Sequence, residues 1–277
     1  MSVEIAELVP ESPYLWRARR AGARRRLICF PHAGAGAAAY ADWVRWLPPE
    51  VELVAVQLPG RQNRIAEEPF TEVPRMVNVL AHALRPVLDG PFAFFGHSAG
   101  AMLSYELARA LHAAGRRGPD RLFLSAQPAP GRTEVRPLHG LPEDEFLAEM
   151  VALGGIDAEI AADPDVIGSL LDVLRADFEL WERHVPTPGP PLDCPITVLA
   201  GDADPRAPRA ELGPGARAPP RNSPPGSSPA AISTSSTRSP RWSDSSGARH
   251  DDGGRDRPGR PRGDRRRGPH GARCRGR

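Results

Sequence analysis

Lysine is absent from the 277 residues, and all 36 basic side chains are arginine. The bias fits a GC-rich coding sequence. Cysteine is nearly absent too. Cys29, Cys194 and Cys274 show neither paired nor metal-ligand spacing, which excludes a disulfide scaffold and a cysteine zinc site. A reducing, cytoplasmic setting is expected. No apolar run approaches the ~18 residues of a membrane span. The first residues hold no apolar signal core, so no membrane partner is expected. Gly34-Ala35-Gly36 lacks the rest of a dinucleotide fingerprint, so neither a nucleotide cofactor nor a metal is expected. No internal repeat is present.

The net charge of +2 conceals two unlike segments. Residues 1–212 carry 21 arginines against 29 acids, a net of −8; residues 213–277 carry 15 arginines against 5 aspartates, a net of +10. The first segment is long enough for one α/β domain with a real core. The second has only Ile232 and Trp242 as large apolar residues. Such a stretch cannot bury enough surface to fold, and a disordered tail is expected.

Gly96-His97-Ser98-Ala99-Gly100 organises the chain. Ahead of it runs Pro91-Phe92-Ala93-Phe94-Phe95, of buried-strand type. Behind it, Ala99 to Ala114 carries Met102, Leu103, Leu107 and Leu111 at helical spacing. Strand, sharp turn and helix make G-x-S-x-G a nucleophile elbow. The glycines leave room for a strained turn, which lifts the Ser98 hydroxyl to the carboxyl end of a parallel sheet. The turn aims the Ala99 N–H at the same spot.

Leu27-Ile28-Cys29-Phe30 reads as an earlier strand, running into Pro31-His32-Ala33-Gly34-Ala35-Gly36. A small-residue loop here supplies the second oxyanion donor of this architecture, and the Ala33 N–H is the candidate. His32 precedes the nucleophile, and a loop-bracing hydrogen bond suits it better than the role of base. Tyr40–Leu47 reads as a helix, Val51–Val56 as a strand and Thr71–Leu88 as an amphipathic helix. Arg121–Ala126 is a further strand, and residues 1–25 read as a polar lead-in. Strands alternating with helices predict a mostly parallel sheet with flanking helices. Residues 138–190 interrupt the alternation with helices starting near Leu141 and Asp163, a helical lid. Its apolar faces serve core packing, an acyl-chain channel, or both. Pro195–Ala200 is the last strand, ending in Gly201-Asp202-Ala203-Asp204-Pro205. An acid there suits the order Ser, Asp, His; Asp204 is the candidate and Asp202 the alternative.

These stretches resemble the type II thioesterases of polyketide and nonribosomal peptide synthesis. The resemblance rests on Phe30–Gly36, Leu58-Pro59-Gly60-Arg61, Gly96–Gly100, the lid around Leu141 to Trp181, and Gly201–Pro205, and covers roughly residues 12–212. It implies an α/β-hydrolase fold and hydrolysis of acyl thioesters from the phosphopantetheine arms of acyl or peptidyl carrier proteins. No metal or nucleotide is implied. Ser98 is then the nucleophile, Asp204 the triad acid, and the Ala33 and Ala99 amides the oxyanion hole.

That family carries its base in a Gly-Gly-His-Phe segment some 25 to 30 residues after the acid. Here the corresponding stretch, Gly226 to Ser236, contains no histidine. His250 and His270 lie in the basic tail, His97 adjoins the elbow and points elsewhere, and His184 suits a helix end. Shifted by one base, and with suitable wobble bases, Ser227–Thr237 reads Val-Phe-Pro-Gly-Gly-His-Phe-Tyr-Leu-Val-Asp. The histidine codon then straddles Ala231 and Ile232, about 28 positions after Asp204. A frameshift near Leu212–Pro214 is expected, with domain boundaries at 1–212 and 213–277. The literal chain is expected to be impaired. The alternatives are a small-molecule esterase of the same fold, a non-catalytic carrier-protein binder, and a nucleic-acid-binding tail. Salt-sensitive binding that vanishes on deleting the tail marks the last of these.

Overall fold

The computed structural model describes residues 7–127, 136–156, 158–161, 163–185 and 189–199. Asp202, Asp204, Ala231, Ile232, His250, His270 and the whole of 213–277 lie outside the described residues.

Seven strands form one sheet in the order β1-β2-β4-β3-β5-β6-β7. They are β1 Val9–Ser12, β2 Leu15–Ala18, β3 Arg25–Phe30, β4 Val51–Val56, β5 Phe92–His97, β6 Arg121–Ser125 and β7 Ile196–Leu199. From β4 to β7 every pairing is parallel. The parallel strands are apolar because both faces are covered; in β4, Glu52 to Val56 are all buried. Ile28, Phe30, Val54, Val56, Phe92 and Phe94 pack beneath α1 (Val73–Ala83) and α2 (Ala99–Ala113). Cys29, Leu53, Ala55 and Phe95 face the other way, onto Ala37, Tyr40 and Val44 of the 3-10 helix Ala37–Arg45.

Two expectations need correction. The polar lead-in holds β1 and β2, an antiparallel hairpin that adds to β4. Four residues each are too few to show a period. Arg17 looks unlike a strand residue in sequence, yet it is neutralised at 2.8 Å by the buried Glu52. The helix expected over Thr71–Leu88 stops at Ala83, and a 3-10 turn, Arg85–Val87, follows. Pro86 has no N–H to donate to the His82 carbonyl one turn back, so the α-helical ladder stops before it.

The lid comprises α3 (Glu143–Ala152), α4 (Ala158–Ala161) and α5 (Pro164–Glu182). Leu138, Phe146, Met150, Ile156, Ile167, Leu171 and Leu174 form its own core. Further along α5, Leu180 and Trp181 join the core beneath the sheet. Among the described residues, these apolar lid side chains are engaged in packing.

Strand order sets the place of the site. The chain passes from β3 out to β4, then crosses back over β3 to β5. In open parallel sheets, ligands bind where the order reverses, beyond the carboxyl ends of the strands. Here that crevice lies between the ends of β3 and β5, where Phe30 pairs with Gly96.

Candidate active site

Ser98 sits between β5 and α2 with φ 52° and ψ −119°, a conformation that L-residues avoid unless neighbours enforce it. The enforcement is visible atom by atom. A Cβ on Gly96 would lie 2.2 Å from the Gly100 carbonyl oxygen, and one on Gly100 would lie 2.0 Å from that of Phe30. The second contact seats the start of α2 directly on the end of β3. It brings the Ala99 N–H and the Pro31–Gly36 loop to one place. The Ser98 N–H donates to the Ser125 carbonyl at 2.8 Å, which ties the elbow to the end of β6.

The Pro31–Gly36 loop is fastened along its length. Tyr40 Oη donates to the Phe30 carbonyl at 2.7 Å. The Ala35 N–H donates back to the His32 carbonyl at 3.1 Å. Gly34, third in that turn, has φ +74°, as a type II turn requires. Beyond the turn, the Ala37 N–H donates to Oε1 of the buried Gln57 at 2.8 Å. Gln57 Nε2 in turn donates to the carbonyls of Leu58 and Arg61. Among the described residues, no acceptor engages the N–H of Ala33 or of Ala99. Backbone donors left unengaged on rigid supports are what an oxyanion site draws on.

His97 shares a 3.0 Å hydrogen bond with Ser125 Oγ through its Nδ1. His32 stands edge-on to it, ring centroids 5.7 Å apart. This ring contact braces the loop; among the described residues the His32 ring makes no hydrogen bond, contrary to expectation. Burial is the main cause holding the His32 imidazole acidic, at about 4; His97 and Arg61 push the same way and Asp177 opposes them. A neutral ring suits a spacer between the loop and the elbow. His184 follows α5, its ring against Trp181 and its Nε2 3.4 Å from Glu106. That joins the lid to α2 through side chains, where a helix-end role was expected.

Sequence reasoning left Gln57 and Asp177 unremarked and gave Arg61 no task. Asp177 is buried on α5 and grips the buried Arg61 at 2.6 and 3.0 Å. The available signal was a lone carboxylate among Val173, Leu174, Leu180 and Trp181. Among the described residues no three His, Cys, Asp or Glu side chains gather as a metal site, and no helix is long and apolar enough to cross a membrane.

The Thioesterase domain family matches residues 25–252. The gramicidin S biosynthesis protein GrsT of Aneurinibacillus migulanus is 38% identical over 183 residues, covering 66% of this chain and 72% of GrsT. Thioesterase PikA5 of Streptomyces venezuelae is 38% identical over 188 residues, covering 68% and 67%. Among solved structures, the type II thioesterase BorB from the borrelidin biosynthetic cluster superposes with a TM-score of 0.67 at 36% identity, covering 74% of this chain and 84% of BorB. With an α/β-hydrolase sheet, a serine elbow and these relatives, the chain belongs to the thioesterase domain family, alongside type II thioesterases of polyketide and nonribosomal peptide pathways.

Proposed function

We propose that this chain is an editing type II thioesterase that releases acyl groups from the phosphopantetheine arms of acyl or peptidyl carrier proteins, with Ser98 as nucleophile. The observation carrying the reading is the backbone of Ser98, held at φ 52° between two glycines that cannot accept a Cβ. Strain of this kind is kept where function uses it. Relatives named for gramicidin S biosynthesis and for thioesterase activity support the substrate class.

Ser98 Oγ attacks the thioester carbonyl carbon while a base removes its proton. The Ala33 and Ala99 N–H groups hold the oxyanion. The tetrahedral intermediate collapses, the thiol leaves with the proton, and water hydrolyses the acyl-serine by the same route in reverse roles. No cofactor enters any step. Asp204 orients the base.

The base is the histidine read across Ala231 and Ile232 in the shifted frame. One fact supports this: no histidine lies between Asp204 and His250 in the frame as written. The chain as written then lacks its base and turns over poorly.

The test compares the written chain, a frame-restored chain and its Ser98→Ala variant on an acylated carrier protein and on a p-nitrophenyl oxyester. The restored chain is expected to prefer the carrier thioester, and the other two to fall by roughly 10⁴-fold or more. Equal turnover by the written chain defeats the frameshift reading; preference for the oxyester defeats the carrier reading.

A further inference from the structure

Asp177 joins three segments far apart in sequence. Its Oδ1 and Oδ2 accept hydrogen bonds from Arg61 Nη2 and Nη1, at 3.0 and 2.6 Å, and Oδ2 also accepts the Gly34 N–H at 2.8 Å. Arg61 Nε donates to the Pro59 carbonyl at 3.1 Å, and Nη1 reaches the Ala35 carbonyl at 3.5 Å. Asp177 belongs to the lid helix α5, Arg61 to the turn after β4, and Gly34 to the loop after β3. Leu174, one turn earlier on α5, presses on the same glycine: a Cβ on Gly34 would lie 2.6 Å from Leu174 Cδ2.

Net stability alone is a weak account of this arrangement. Replacing a buried ion pair by apolar side chains of similar volume is often neutral or stabilising. What the pair does that apolar side chains cannot is accept the Gly34 N–H. That amide adjoins Ala33, and the Ala35-to-His32 hydrogen bond closes the turn around it. An oxyanion donor must be held to within about half an ångström to serve. The geometry points to Asp177, itself oriented by Arg61, as a positioning residue that fixes the Ala33 donor and makes a formed oxyanion site depend on a seated lid helix. Gln57 and Tyr40 hold the two ends of the loop without the lid; Asp177 holds its middle through the lid. The inference rests on the reading of Ser98 and Ala33 given above.

The test uses the full 277-residue chain and two ligands. Hexylboronic acid is added to by Ser98 Oγ, whose proton passes to buffer, giving a tetrahedral boronate anion with an oxygen in the oxyanion site. S-hexyl pantetheine, a thioether without a carbonyl, has no oxyanion to place. Boron NMR follows the change from trigonal to tetrahedral. Asp177→Asn breaks the pair but leaves Arg61 buried and unmatched, so Arg61→Met/Asp177→Leu, which restores apolar packing, is measured beside it. Both variants are expected to bind the boronate roughly ten- to a hundredfold more weakly, with thioether affinity unchanged. Parental boronate affinity in the folded double variant, or equal losses for both ligands, overturns the inference. A boronate adduct that forms equally well in Ser98→Ala overturns instead the reading of Ser98 on which the inference rests.

Discussion

Ser98 and its flanking glycines were legible in the sequence because the constraint is local. Gly96 and Gly100 each stand two positions from Ser98, and their missing Cβ atoms meet backbone rather than side chains. Backbone cannot swing aside. Gly100→Ala is therefore expected to cost about 3 kcal/mol or more, at the upper end of overpacking penalties, read from the denaturant midpoint. Arg61 and Asp177 were illegible for the opposite reason: 116 positions separate them, and neither carries a local signature of the other. His32 makes a pH prediction. Burial holds its folded pKa at about 4, below the ordinary imidazole value of 6.5. On acidification the unfolded chain takes up the proton first, so this contribution to stability is present above about pH 6.5 and lost as pH falls toward 4. Melting temperature against pH is expected to fall less steeply across that window in His32→Gln.

Among the elements, β4 and β6 matched their expected starts because parallel strands covered on both faces are continuous apolar runs. The β1–β2 hairpin was hidden by brevity and by Arg17, whose partner Glu52 is on another strand. The end of α1 was written in the sequence at Pro86, and the longer helix expected there gave periodicity too much weight over proline. The lid was visible as an interruption, but its attachment was not. Phe146 is fully buried in the lid core, in edge contact with Phe178 at 5.6 Å. Phe146→Ala is expected to lose roughly 3–5 kcal/mol by cavity formation, measured by equilibrium unfolding. Leu174→Ala removes the contact over Gly34 as well as core volume and is expected to cost roughly 2–5 kcal/mol. The same measurement serves for both.

For the whole molecule, the parallel sheet and its switch point bring two loops 65 residues apart, around Ala33 and Ser98, to one crevice. That convergence was legible because strand–helix alternation allows few topologies. Asp204, the proposed acid, and the proposed base lie outside the described residues, and the base follows from a shifted reading frame. Nucleotide sequencing from the codon of Ala210 is expected to reveal a one-base change near Leu212, and correcting it is expected to open a frame through Gly-Gly-His-Phe. An uninterrupted frame confirmed through Arg277 removes that explanation of the basic tail.

The serine reading meets its most direct test in a covalent label. The frame-restored chain is treated with a fluorophosphonate, and its peptides are mapped by mass spectrometry. A single adduct on Ser98, absent from the Ser98→Ala variant, is the predicted result. A folded chain that takes no label, or takes it on another side chain, would contradict it.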